Sequence, residues 1–146
     1  MTLLEVQRDG FTISTDPARL DVDAICSFLA RSYWANERPR ETTQRAIEHS
    51  HCFGVYDGEQ QVGFARVVTD CATFAWLADV FIAEEYRGRG LGKWLVEVVL
   101  SHPELQSVPR WFLATRDAHE LYRRFGFTAL QAPERRMELN VPRERG

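Results

Sequence analysis

The 146-residue chain predicts a single α/β domain, residues 1–146, with a mixed central sheet that is antiparallel in its first half and about four flanking helices. Three observations predict it. The apolar period runs helical, then strand-like, then helical again. An Asp57-Gly58 dipeptide sits between two β-type runs. A mixture of 45% hydrophobic and 27% charged residues suits a water-soluble globule with one core. A chain of this size buries about 68–70% of its unfolded surface, which leaves no room for two ordinary domains.

The elements follow in order. A short strand is expected at 11–14. Asp16 and Pro17 give a capping and first-position signal, after which Leu20, Ala24, Ile25, Phe28 and Leu29 recur at helical spacing. A second helix is expected over 41–49, and the loop between the two contains Tyr33 and Trp34. Runs at 51–56 and 61–68 form a hairpin about Asp57-Gly58. A third run, 74–83, extends the meander, with Trp76, Ala78, Val80 and Ile82 on one face and Leu77, Asp79 and Phe81 on the other. Both faces being largely apolar, this strand is covered on both sides. Leu91, Trp94, Leu95, Val98 and Val99 mark a helix that ends near Pro103. A strand at 111–114, a short helix from Ala118 stopped by Gly126, and two late strands at 127–130 and 136–141 complete the chain. The segment from Pro142 to Gly146 reads as a frayed tail.

Charge narrows the function. With 21 acidic against 18 basic residues and a net charge of -3, no global basic field draws the chain to nucleic acid or an anionic membrane. No apolar run approaches the roughly 18 residues of a membrane span, so a cytoplasmic protein is expected. Cys26, Cys52 and Cys71 are odd in number and far apart, which fits packing cysteines rather than a disulfide framework. His49, His51 and His102 have no metal-ligand spacing, so no metal is assigned.

Between the third meander strand and its helix stands Glu84-Glu85-Tyr86-Arg87-Gly88-Arg89-Gly90-Leu91-Gly92-Lys93, holding three of the nine glycines. Glycines let backbone N–H groups approach a ligand closely, and a helix start adds unpaired amides and a positive dipole end. Phosphate suits such a turn, and Arg87, Arg89 and Lys93 concentrate positive charge there. The plain alternative is a glycine-rich turn with solvated arginines. Gly92-Lys93 is followed by Trp94 where a P-loop has a hydroxyl, and a meander precedes the turn where a Rossmann fold has its first parallel strand, so both nucleotide folds are disfavoured.

The run from Val80 to Gly92 resembles the acyl-coenzyme A signature R-x-x-G-x-G of the GNAT superfamily of N-acetyltransferases, with Arg87, Gly90 and Gly92 at the defining positions. Ala118-His119-Glu120-Leu121-Tyr122-Arg123-Arg124-Phe125-Gly126-Phe127 is similar to the family's A-x-x-L-Y-x-x-x-G-F. The resemblance covers about residues 11 to 140 and implies the GNAT-like acyl-CoA N-acyltransferase fold, with acetyl-CoA as co-substrate. It implies that backbone groups of Val80, Phe81 and Ile82 line the pantetheine and acetyl carbonyl. Amides from Arg87 through Gly88, Arg89, Gly90, Leu91 and Gly92 to Lys93 would hold the pyrophosphate. Tyr122 would face the sulfur as proton donor; its plain reading is a core aromatic. Thr115 stands where the family often has Asn and offers a hydroxyl to the pantetheine arm.

For a general base, Asp79 lies beside the implied carbonyl site; an ion pair with an arginine such as Arg66 is the equal alternative. Glu84, Asp117 and His119 are lesser candidates, with Asp117 placed to cap the last helix, and a water chain could replace any of them. Tyr33 and Trp34 either cover the core or contact the acceptor, with Glu37 available to an amine, and Trp76 and Arg66 can reach the same cleft. The implied activity is direct acetyl transfer to a primary amine of a small molecule or peptide. A catalytically silent coenzyme A-binding regulatory module is the alternative. The late strands and the tail offer an edge for a homodimer.

Overall fold

The structure is a computed structural model that describes residues 2–142. It divides into two compact units, Met1–Ala114 and Thr115–Gly146. The first contains a six-stranded sheet in the order β1 (Glu5–Arg8), β2 (Phe11–Ser14), β3 (His51–Asp57), β4 (Gln60–Thr69), β5 (Ala75–Ile82) and β6 (Trp111–Phe112). Neighbours are antiparallel except β5 and β6, which are parallel. Its helices are α1 (Val22–Ala30), α2 (Arg40–Glu48) and α3 (Leu91–Ser101).

The mixed sheet and helices match the expected α/β class, with differences that have local causes. The first helix starts later than Asp16-Pro17 suggests: that signal builds a single 3-10 turn, Pro17–Arg19, and Asp21 caps α1 by accepting from the Ala24 amide at 3.0 Å. β1 has no apolar alternation, being an edge strand with only Val6 half-buried. Its turn, Asp9-Gly10, has φ of 51° and 85° and joins Arg8 to Phe11, the two-residue D-G hairpin that the reading of 57–58 uses.

The expected alternation over 74–83 breaks at Asp79, whose φ is 52°. There β5 bulges against β4: Ala78 opposes Arg66, yet Phe81 opposes Phe64 and Ile82 opposes Gly63. Phe81 therefore joins Phe64 and Phe28 on the α1 side, with ring centroids at 5.8 and 4.3 Å, while Ile82 moves to the opposite face from Trp76 and Ala78. Under α1 lies a core of Ile25, Leu29, Ala35, Cys52 and Phe64. α3 buries Trp94, Leu95, Val98 and Val99 as its period predicts.

The second unit carries α4 (His119–Arg123), closed by Gly126 at φ 93°, and one 3-10 turn, Pro133–Arg135. Neither late strand forms among the described residues: 127–130 and 136–141 are irregular. Met137, Leu139 and Val141 are exposed, so their alternation marks no buried sheet face. The tail beyond Pro142 lies outside the described residues.

Candidate active site

β5 is paired on both sides only at its start. β6 reaches Ala75 and Trp76 and then ends, so from Leu77 to Ile82 the β6-side edge of β5 has no strand partner among the described residues. This open edge includes Val80, Phe81 and Ile82 and runs through a single 3-10 turn, Glu84–Tyr86, into the glycine turn. An extended ligand with amide groups could hydrogen-bond along such an edge.

At the turn, Gly88 and Gly90 have φ of 80° and 78°, which explains glycine at both positions by backbone conformation. Gly92 is different. It lies inside α3 without a positive φ, and a Cβ there would meet only the Ile82 side chain at 3.9 Å. Among the described residues no steric contact requires glycine there, although the residue costs the helix about 0.5–1 kcal/mol relative to alanine. No side chain caps α3, whose first amides are therefore left for an external acceptor; the Gly90 carbonyl already accepts from the Trp94 amide at 3.0 Å.

The three cations of the turn are not equivalent. Arg87 donates through Nε to the Ile82 carbonyl at 3.0 Å, so it braces the turn and engages that carbonyl. Arg89 stacks over Tyr86 at 5.2 Å, and the Tyr86 hydroxyl donates to Asp57 at 2.8 Å. Lys93 is exposed on the first turn of α3.

Asp79 sits at the bulge with its side chain only 3% exposed. The Trp34 indole N–H donates to Oδ1 at 2.9 Å. Arg38 donates through Nη1 to Oδ2 at 2.8 Å and through Nη2 to Oδ1 at 3.3 Å, and Arg66 donates through Nε to Oδ2 at 2.9 Å. Burial alone would raise the carboxyl pKa; the hydrogen bond from Arg38 and the charges of Arg66 and Arg38 outweigh it and hold the group below its ordinary value. Of the two roles open to Asp79, the structure contains the ion pair with Arg66, doubled by Arg38. A carboxylate that accepts four charge-assisted or polar hydrogen bonds has little affinity for another proton.

Arg38 is the participant that the sequence did not single out. Its only signal is chemical: an acid on an apolar strand needs counter-charge, and one arginine beside Trp34 can supply it. Trp34 is therefore tied to the strand while 43% of its surface stays exposed. Tyr33 packs edge-on against it at 5.2 Å. Trp76 is exposed too and lies on the Ala78–Arg66 side of the sheet.

Within the second unit, Tyr122 is buried and meets Phe127 edge-on at 5.8 Å. The Thr115 hydroxyl accepts from the Ala118 amide at 3.0 Å, closing the turn ahead of α4. Asp117, expected to cap that helix, lies exposed beside Arg116, and α4 has no side-chain cap. Glu84 and His119 are exposed. The described residues contain no group of three or more His, Cys, Asp or Glu able to hold a metal ion, and no helix among them is long and apolar enough to cross a membrane.

A meander whose last strand opens toward an uncapped, glycine-rich helix start gives an α/β domain with a candidate phosphate-binding turn. The family model of the acetyltransferase (GNAT) domain matches residues 48–129, and the chain belongs to that family, whose acetyl donor is acetyl-CoA. A crystal structure from Xanthomonas campestris pv. campestris, described as an acetyltransferase of the GNAT family by assignment, shares 47% identity over 93% of this chain and 96% of that one, with a TM-score of 0.88. A Gibberella zeae protein, named an acetyltransferase by assignment as well, is 33% identical over 138 residues, covering 79% of this chain and 77% of that protein. A GNAT family acetyltransferase from Elizabethkingia anophelis, crystallised with acetyl-CoA bound, shares the fold at 14% identity and a TM-score of 0.65, over 83% of this chain and 78% of that one.

Proposed function

We propose that residues 1–146 act as one cytoplasmic N-acetyltransferase domain that moves the acetyl group of acetyl-CoA directly to a primary amine of a small molecule or peptide. The observation that carries this reading is Gly92, a helical glycine whose Cβ position is open apart from Ile82, at an uncapped helix start fed by the open edge of β5. The donor supplies a thioester whose C–S bond breaks as the amine nitrogen bonds to the carbonyl carbon. Amides from Gly88 to Lys93 hold the pyrophosphate, with the exposed Arg89 and Lys93 adding charge. Backbone groups of Val80 and Phe81 on the open edge orient the pantetheine and acetyl carbonyl and stabilise charge developing on its oxygen.

Tyr122 is assigned proton donation to the departing thiolate by the motif that contains it, and Thr115 a pantetheine contact. The amine proton leaves through water rather than to Asp79, because that carboxylate is saturated by Arg38, Arg66 and Trp34. Tyr33, Trp34 and Trp76 border the acceptor. The reaction requires no metal.

Gly92→Ala tests the carrying observation. The variant should fold at least as stably as the parent, since alanine favours the helix by about 0.5–1 kcal/mol, while acetyl-CoA affinity measured by calorimetry falls about tenfold or more. Undiminished affinity would remove the phosphate assignment. Acetyl-CoA binding without thiol release across amines, amino acids and peptides would leave the chain a silent regulatory module.

A further inference from the structure

We infer that the acceptor is an amine carrying its own carboxylate and an apolar body, as an apolar amino acid does, with Arg66 and Ser50 holding the carboxylate and an aromatic rim holding the body. The inference rests on the acetyl-transfer reading above and specifies its acceptor.

The charge count comes first. Two guanidiniums, Arg38 and Arg66, share the single carboxylate of Asp79, and their side chains are only 16% and 13% exposed. The cluster is therefore positive by one charge in a setting where water screens it poorly.

The hydrogen bonds come second, and they single out Arg66. Arg38 spends both arms of its fork on the two Asp79 oxygens. Arg66 gives Nε to Asp79 and Nη1 to the Ser50 hydroxyl at 3.1 Å, which leaves Nη2 without an acceptor among the described residues. The Ser50 hydroxyl accepts from Arg66, so its own proton remains to be donated. Two adjacent donors, one charged, suit a carboxylate better than a neutral carbonyl.

The surroundings come third. Arg66 opposes Ala78 across the β4–β5 ladder and Val68 opposes Trp76, so Val68 and Trp76 lie one step along the same sheet face. Both are exposed there. Trp34, anchored to Asp79, brings Tyr33 with it. An apolar rim thus borders a surplus positive charge on the strand whose next residues form the open edge. The amine of a bound amino acid would sit beside its carboxylate, near Val80, where the transfer reading puts the thioester carbonyl.

The experiment compares matched sets: phenylalanine, phenylalaninamide and phenethylamine, and likewise tryptophan, tryptophanamide and tryptamine. Each is assayed for thiol release from acetyl-CoA and for thermal-shift binding to the full chain. The acid member of each set should exceed its amide and its decarboxylated partner in kcat/KM by about tenfold or more, and Arg66→Gln should bring that ratio toward unity. Should that variant not fold, the ratios of the parent chain decide alone. Turnover of the amides or decarboxylated amines at equal or higher efficiency overturns this inference and leaves acetyl transfer standing. Selective binding of the acids without thiol release sustains the inference and overturns the transfer reading. Absence of both binding and turnover for every acid member overturns the inference.

Discussion

Replacing Asp79 by Asn removes one negative charge from between two largely buried guanidiniums while keeping side-chain size and the tolerance of asparagine for φ near 52°. Stripping one partner from a buried ion pair costs about 3–5 kcal/mol. Arg38 and Arg66 keep some exposure and can recover water, which places the loss near the lower figure, about 3 kcal/mol, or roughly a 10 °C fall in Tm for a chain of this length. Asp79→Ala loses the same charge and adds about 1 kcal/mol, because alanine has no left-handed preference. Asp79→Gly avoids that strain, so it should be more stable than the alanine variant by about 1 kcal/mol. Urea unfolding at pH 7 reads all three. The folded pKa lies below its ordinary value of 3.8, so the unfolded state binds the proton first. The stabilisation is then complete above about pH 5 and is lost as the pH falls below 3.8 toward the folded pKa. The gap between parent and Asn variant should be flat from pH 8 to 5 and should narrow below 4. An Asn variant within 1 kcal/mol of the parent, or alanine as stable as glycine, would refute the clamped, strained picture of this residue.

Gly90→Ala should destabilise the fold by about 1–2 kcal/mol through its φ of 78°, the opposite sign to Gly92→Ala, in the same unfolding assay. Burial pushes the Cys52 thiol up to about 12; at pH 8 its reaction with a disulfide reagent in the native protein should be on the order of a thousandfold slower than that of an ordinary thiol, read as one thiol released only on denaturation. Burial lowers the pKa of His51, which lies 3.4 Å from the Cys71 sulfur. The unfolded chain therefore binds that proton first, and stability should drop as the pH falls below about 6.5, a dependence that His51→Gln should flatten in a pH series of Tm values. Tyr122→Phe should lower kcat with little change in acetyl-CoA affinity; full turnover under conditions where chemistry limits the rate would remove the hydroxyl from the reaction.

The elements visible in the sequence are those whose burial is uninterrupted. α3 repeats its apolar residues over two turns, and β3 and β4 are the expected β-type runs, although the turn between them is Gly58-Glu59, one residue later than Asp57-Gly58, because Asp57 still pairs with Gln60. β1 escaped because an edge strand buries almost nothing, although Asp9-Gly10 announces its turn. The late strands failed for the converse reason: Met137, Leu139 and Val141 alternate as a buried strand would, but alternation is a necessary pattern with no power to supply the sheet face that must receive it.

The candidate site divides along the same line. A phosphate turn is written in consecutive residues, because glycines and a helix start act through the backbone that joins them, and Gly88, Gly90 and Gly92 are legible for that reason. The acceptor side is built from side chains that meet across the sheet. Asp79 shows as an anomaly on an apolar strand, yet whether it is a base or a clamp depends on Arg38, 41 residues away, and on Arg66, 13 residues away. A single bulge settles the matter by turning one residue out of register, and the residue best suited to that backbone, an aspartate in left-handed conformation, also brings the charge that two arginines and an indole require. Backbone strain and ion pairing at Asp79 are therefore one device: the conformation aims the carboxylate at the loop, and the loop's donors hold the conformation in place.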